Sequence, residues 1–440
     1  MMPKIDRRTF LASTVAVGAG ASALTACSSE GGEAPGVEDD SQPKNLRLAW
    51  WGNEYYHSTT YDAVELYESR NDLVTIETEA GSWDDFWDRL ATQIAGRNGP
   101  DLIQMSNQMI VDYASREALL DFTPYMDDVI DISSWPEVLQ GYGIVDGRRV
   151  GIPMSTDAFM ALYDVEILDG LGIEIPEDGW TWDEVAELAG DISDRIGPDK
   201  WAISDHSRQY ESLEIWVRGR GKSWFDTTGE SVTLGFDKDD LADFFQWWAD
   251  RREDGSCVPA DYTAESTGME HSPFVTGLAP IVFSTSSELA SWRSVMTRQC
   301  QPIPMPEQTG GSVPANFVRP NLFLSSWDGT KFPLESARFI DFWVNDPEAA
   351  LKVRYSRGVP PNPESARLVA EDENVEGLRS PADYVDLIHE IGSPMNDLTP
   401  AGGRECYQLL IRTSESIKFG ESSIGDAVQS FFDEASTLIA

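Results

Sequence analysis

From Asn45 to Met105 the hydrophobic period switches back and forth between two residues and about 3.6, and this alternation limits the fold more than any other feature. Leu46, Leu48 and Trp50 alternate with Arg47 and Ala49, the pattern of a half-buried strand. Tyr61, Val64 and Tyr67 then recur at helical spacing. Val74 and Ile76 alternate again, and Trp83, Phe86, Trp87, Leu90 and Ile94 form a helical stripe that ends at Gly96. After the Asn98-Gly99-Pro100 turn, residues 101–105 make a third apolar strand. Strand–helix–strand–helix–strand requires right-handed crossovers and a mainly parallel α/β sheet.

A second block starts near Ala158. Thr181-Trp182-Asp183-Glu184 is a capping box that opens a helix running through Ile192. Leu241, Phe244, Phe245 and Trp248 mark another amphipathic helix, and Leu334, Ala337, Ile340 and Val344 a third. The third stops at Asn345-Asp346, and Pro347 suits the first position of the next helix. Trp87, Trp247, Trp248 and Trp343 fall within these apolar stripes and are expected in the core. About 395 residues follow Asn45, more than one core usually serves, so two lobes are expected.

The N-terminus carries a different signal. Arg7-Arg8-Thr9-Phe10-Leu11 leads an apolar run of about 14 residues, where roughly 20 are needed to span a bilayer. The run ends at Leu24-Thr25-Ala26-Cys27. Residues 1–26 read as a signal peptide of twin-arginine type, and the last four residues resemble a lipobox, with Cys27 lipidated. Asp6 and Ala12 stand where such signals often carry Ser/Thr and Lys, which leaves the export route open between the twin-arginine and general pathways. Residues 27–44 are rich in Gly, Ser, Glu, Asp and Pro and read as a flexible tether, with folded structure from Asn45. The expected location is the extracytoplasmic face of the cell membrane, held by lipid.

The formal charge is −42, from 33 basic and 75 acidic residues, which argues against nucleic acid as a partner. It equally disfavours an anionic ligand. Of the four cysteines, Cys27 is assigned to lipid. At most one disulfide can then form within the chain, and Cys257–Cys300 is the expected pair. Four histidines without metal-site spacing argue against a zinc centre, and no cofactor is implied. Phosphate loops, nucleophile elbows and helical zinc pairs have no match. Asp237-Lys238-Asp239-Asp240 imitates a calcium loop but places Leu241 and Trp248 at ligand positions. The chain also carries fifteen tryptophans, a high count.

Several motifs occur in a recognisable order: Leu46-Arg47-Leu48-Ala49-Trp50-Trp51-Gly52, Gly81-Ser82-Trp83-Asp84-Asp85-Phe86-Trp87, Gly99-Pro100-Asp101-Leu102-Ile103-Gln104-Met105, Gly151-Ile152-Pro153, Thr181-Trp182-Asp183-Glu184, Phe339-Ile340-Asp341-Phe342-Trp343-Val344-Asn345-Asp346-Pro347 and Arg357-Gly358-Val359-Pro360. The series resembles the maltose-binding-like family of extracellular solute-binding proteins of ABC transporters, most closely the actinobacterial sugar-binding lipoproteins. The resemblance implies a periplasmic-binding-protein-like fold: two α/β lobes with mainly parallel sheets, joined by a hinge, with the ligand in the cleft between them. The implied division is 45–156 and 277–329 for the N-lobe, 157–276 and 330–440 for the C-lobe, with crossings near 155–158, 272–280 and 327–331.

It also implies a function. A monomer that is not an enzyme captures a di- or oligosaccharide by hinge closure and delivers it to the permease subunits of an importer. Alternatives are an exported glycoside-acting enzyme and a receptor for a non-sugar such as a polyamine. The ligand candidates are Trp51, Asn53, His57, Trp83 and Ser106 at the ends of the first strands, and Asp157 at the first crossing. Glu214, Trp216, Arg218, Phe283, Ser286 and Trp292 join them from the second lobe, with Trp327 near the third crossing and Arg357 at the cleft edge.

Overall fold

The computed structural model describes residues 38–439, apart from 177, 178, 230, 267, 312, 373–376 and 396. The signal expected over 1–26 and the lipid expected at Cys27 lie outside the described residues. No described helix is long and apolar enough to cross a membrane.

The alternating period is realised directly. Strand β1 (Lys44–Trp51) is followed by helix α1 (Glu54–Arg70), β2 (Val74–Gly81), α2 (Trp83–Ala95) and β3 (Leu102–Ser106). Side-chain oxygens start both helices: Asn53 accepts from the Tyr56 amide and Ser82 from the Asp85 amide, each satisfying an amide that the helix itself leaves open. β1 pairs in parallel with β2, Leu46 opposite Ile76, and with β3, Leu48 opposite Leu102. Two later strands, β4 (Ile152–Pro153) and β9 (Leu322–Ser325), complete a sheet of order β2-β1-β3-β9-β4. Its core gathers Trp50, Phe86, Trp87, Phe122, Phe323 and Ile340.

The second sheet is built around β5 (Asp157–Asp164), which is flanked by β6 (Ile281–Thr285) and β7 (Cys300–Pro304), while β8 (Val318–Arg319) pairs with the start of β5. Helices Trp182–Ile196, Tyr210–Arg218, Lys238–Glu253, Gly403–Lys418 and Ile424–Leu438 pack on it around Trp182, Trp224, Phe244, Trp248 and Phe431.

Four expectations change here. The sheets are less parallel than anticipated, for β9 runs antiparallel to β3 and β4, and all three neighbours run antiparallel to β5. Only the opening segment has the helical crossovers that parallel pairing needs; the later strands meet β5 through connections that reverse direction.

The division of the chain also differs. Residues 281–285 and 300–304 belong to the second sheet rather than the first, and helices Pro333–Asn345 and Pro347–Val353 pack in the first core. A short apolar strand carries no local mark of the sheet it will join. The two sheets are linked instead by residues 154–156, 320–321 and 354–359. The first and last of these pair with each other: Thr156 and Val359 exchange backbone hydrogen bonds of 2.7 and 3.0 Å. Gly358 has φ +110°, and a Cβ there would sit 2.6 Å from the Thr156 carbonyl oxygen, so only glycine fits without strain.

The tether ends earlier than Lys44. Glu38 accepts from the Leu334 amide, and Arg338 grips Asp40 at 2.7 and 3.0 Å, so these acids anchor on the start of helix Pro333–Asn345.

Cys257, Cys300 and Cys406 are free and buried, and the expected disulfide is absent. Cys257 pairs with Ile203, Ile203 with Ile281, β6 with β5, and β5 with β7, which carries Cys300. Four pairings at about 4.8 Å each put the two cysteines roughly 19 Å apart. A disulfide needs Cα atoms within about 7 Å.

Candidate functional site

The end of β6, the start of helix Tyr210–Arg218 and the segments around 204–206 and 268–273 converge on an open cavity of about 400 Å³. Its lining includes His206, Glu211, Phe283, Glu288 and Trp292. Trp292 forms one wall: its indole donates to Ser284 Oγ at 2.8 Å, and its ring stands edge-on to Phe274, centroids 5.6 Å apart. Ser284 Oγ in turn donates to the Glu288 carboxylate at 2.6 Å. Phe283 and His206 lie ring to ring at 5.3 Å, and His206 Nε2 accepts from the Phe283 amide.

The polar groups of the cavity are incompletely satisfied. Glu211 Oε2, Ser212 Oγ and Ser204 Oγ are buried without hydrogen-bond partners. Such atoms ordinarily find a partner, and a bound solute would supply one.

A second cavity, about 250 Å³, lies on the other side of the same helix start. Tyr210, stacked on Tyr407 at 4.3 Å, lines it with Trp224, Arg319 and Glu214. Asn107, just past the end of β3, reaches it from the first sheet with its Oδ1 unpartnered. The first sheet also touches the rim of the larger cavity, where Asn53 Nδ2 donates to Ser291 Oγ at 3.1 Å, one residue from Trp292.

Burial governs the charges. It pushes the Glu211 carboxyl up to about 7, assisted by Glu288 and opposed by Arg319. Glu288 and Asp157 are also raised, by burial first. Burial pushes His206 down to about 4. A carboxyl that holds its proton more tightly when folded stabilises the protein below its ordinary value, near 4.5, and that stability is lost as pH rises through 7. His206 acts oppositely, losing stability as pH falls from 6.5 toward 4. The two partly cancel in the native chain. Glu211→Gln removes one of them, so its stability relative to native should rise by up to about 3 kcal/mol from pH 4.5 to 8. Urea titrations at four pH values would read this; a difference independent of pH would refute it.

The fourteen anticipated ligand residues divide clearly. Phe283 and Trp292 line the larger cavity, Glu214 lines the smaller, and Asn53 sits at the rim. The others are engaged elsewhere. Trp51 is wrapped by Trp83, Phe86 and Trp87 at centroid distances of 4.9, 5.0 and 5.2 Å, so it belongs to the first core, with Trp83 half-buried against it. His57 Nδ1 accepts from the Trp50 indole. Ser106 is buried and caps the Gln108 amide. Trp216 donates to the Asp240 carbonyl and packs on Trp182. Arg218 lies 4.0 Å over Phe317 and donates to the Ala315 and Pro394 carbonyls. Trp327 packs against the first core. Asp157 and Ser286 bond to each other beneath the cavity, and Arg357 is enclosed where the last link meets α1.

Sequence reasoning passed over Tyr210, Glu211, Glu288, Arg319 and His206, whereas Asn107 stands at the strand end where ligand contacts are expected. The carboxylates are two among 75 acids. Tyr210 and Glu211 lie three and two residues before the segment singled out at 213–218. Among the described residues no group of three His, Cys, Asp or Glu is placed to hold a metal ion.

Comparison with known proteins agrees with this architecture. A family model described as bacterial extracellular solute-binding protein matches residues 62–377. An uncharacterized lipoprotein of Streptomyces antibioticus is 25% identical over 332 residues, 71% of this chain and 69% of the relative. An arabinooligosaccharide-binding protein of Halalkalibacterium halodurans is 28% identical over 141 residues, 32% of this chain and 30% of the relative. The structure of a periplasmic oligogalacturonide-binding protein of Yersinia enterocolitica, in complex with saturated digalacturonic acid, superposes with a TM-score of 0.78 at 20% identity, over 90% of this chain and 98% of that one. At that identity the likeness is one of fold.

Proposed function

The chain belongs to the bacterial extracellular solute-binding protein family, and on that premise we propose that it captures a di- or oligosaccharide and delivers it to the permease of an ABC importer. The observation that carries the reading is the larger cavity, where aromatic walls at Phe283 and Trp292 stand beside the unpartnered polar atoms of Glu211, Ser212 and Ser204. Ring faces take the C–H face of a sugar, and the polar atoms take its hydroxyls. The oligosaccharide-binding relative supports this reading. Closure would follow if a ligand held against the cavity also met Asn53 or Asn107, stabilising the closed arrangement over an open one. The lipoprotein relative supports an extracytoplasmic, lipid-held location, with Cys27 as the anchor.

A thermal-shift screen against mono-, di- and oligosaccharides tests the proposal. A true ligand at 100 times its Kd should add about 2.7 kcal/mol of stability. Silence toward every saccharide would defeat it.

One observation favours a second reading. Glu211 and Glu288 are two carboxyls with raised proton affinity in one cavity, the composition of a glycosidase acid pair. Mass spectrometry of glycans held with the protein separates the two. Sustained cleavage, lost in Glu211→Gln, would make it an enzyme.

A further inference from the structure

We propose that the larger cavity selects a protonated amine, so that the captured solute is an amino sugar rather than a neutral or acidic saccharide. This rests on the cavity being the solute site. Among the described residues its lining contains no Lys or Arg. Asp205 is already neutralised, its Oδ2 held by Arg252 at 2.9 Å. His206 is uncharged at neutral pH, its Nε2 occupied as an acceptor. Glu211 and Glu288 remain, facing the space with no cation among the described lining residues; burial tightens their hold on a proton, and an ammonium beside them would favour the carboxylate form. Arg319, the cation that acts on Glu211, is occupied on the other side of the helix start, donating to Tyr210 Oη at 3.1 Å and facing Asp157 Oδ2 at 3.7 Å.

A second, independent feature points to a ligand with several donors. Ser212 is 0% exposed and Ser204 7% exposed, and both line the cavity with hydroxyls that have no partner. Each can accept one hydrogen bond from an ammonium or donate one to a sugar oxygen. An ammonium is a three-donor group and would be shared by Glu211 and these hydroxyls. The Trp292 face offers a cation a further attraction. A uronic acid would place a third negative charge beside two carboxylates, with nothing in the lining to offset it.

Calorimetry on the full chain at pH 7.5 tests this with β-1,4-linked glucosamine di- and trimers, their N-acetylated counterparts, cellobiose, digalacturonic acid and spermidine. The expected result is that the glucosamine oligomers bind at least tenfold more tightly than the N-acetylated ones. The preference should fall at least tenfold in Glu211→Gln/Glu288→Gln, or in Glu288→Gln alone if the double variant does not fold. N-acetylation removes the charge on the ligand side, so that comparison needs no variant. Equal or tighter binding of the N-acetylated, neutral or acidic sugars would overturn amine selection and leave the saccharide reading standing. Binding of spermidine alone, lost in the double variant, would uphold amine selection and overturn the saccharide reading. Binding of no probe would overturn both.

Discussion

Arg357→Ala is expected to lower unfolding free energy by about 4 kcal/mol, the range of a large buried truncation that strands polar partners. Arg357 is 1% exposed. Its guanidinium donates to Gln104 Oε1, the Tyr56 carbonyl, and the hydroxyls of Thr59, Thr60 and Ser356, at 2.7 to 3.2 Å. It lies 4.6 Å from the Tyr56 ring centroid. These acceptors are all neutral, and burial pushes the group down to about 10, which still leaves it charged at neutral pH. The residue therefore joins the last link between the sheets, residues 354–359, to the first turns of α1 through geometry rather than charge. Lysine has no planar fork and should recover less than half of the loss. Urea titration checks this through the midpoint, with the slope unchanged. A loss below about 1 kcal/mol would mean that the network relaxes around water instead.

Asp157→Ala should cost 3–5 kcal/mol, about the cost of leaving a buried charge unpaired. Asp157 is fully buried at the start of β5, where Oδ1 accepts from Ser286 Oγ and the Ser287 amide, both at 2.9 Å. Its other oxygen faces Arg319, itself 3% exposed. Removing the acid strands both the Ser287 amide and the Arg319 charge. Arg319→Met in the same chain removes the stranded charge, and Asp157→Ala/Arg319→Met should be the more stable of the two variants. Thermal unfolding of the three proteins decides this. Equal midpoints for the single and double variants would show that Arg319 does not depend on Asp157.

Both residues were singled out for ligand binding, Asp157 from its place at an expected crossing and Arg357 from a loop expected at the cleft edge, and both lie near actual links between the sheets. What their positions did not reveal was enclosure. The side-chain polar atoms of Arg357 and Asp157 are hydrogen-bonded within the protein, apart from Asp157 Oδ2, which faces Arg319 at 3.7 Å. The aromatic residues divide in the same way. Trp87, Trp248 and Trp343 lie in the cores, as their helical stripes require. Trp51, by contrast, ends a strand where a ligand is expected, yet three rings of α2 cover it. Trp292 packs with Leu289 and Met296 and is only 7% exposed, yet it also forms a cavity wall.

The α/β class, the opening β1-α1-β2-α2-β3 run, the capping box at Thr181 and the helix that begins at Pro347 were all legible in the chain's local pattern. Its motif order identified the family. These are properties of near neighbours: a repeat period, a cap three residues away, a proline that cannot continue a helix. Only the tertiary structure decided which sheet β6, β7 and β9 join, that the cysteines stay apart, and which acids line a cavity without a counter-charge. Each of these depends on groups far apart in the chain. Strand partners are chosen by the burial of whole faces, and the proton affinity of Glu211 by desolvation from every element packed around it.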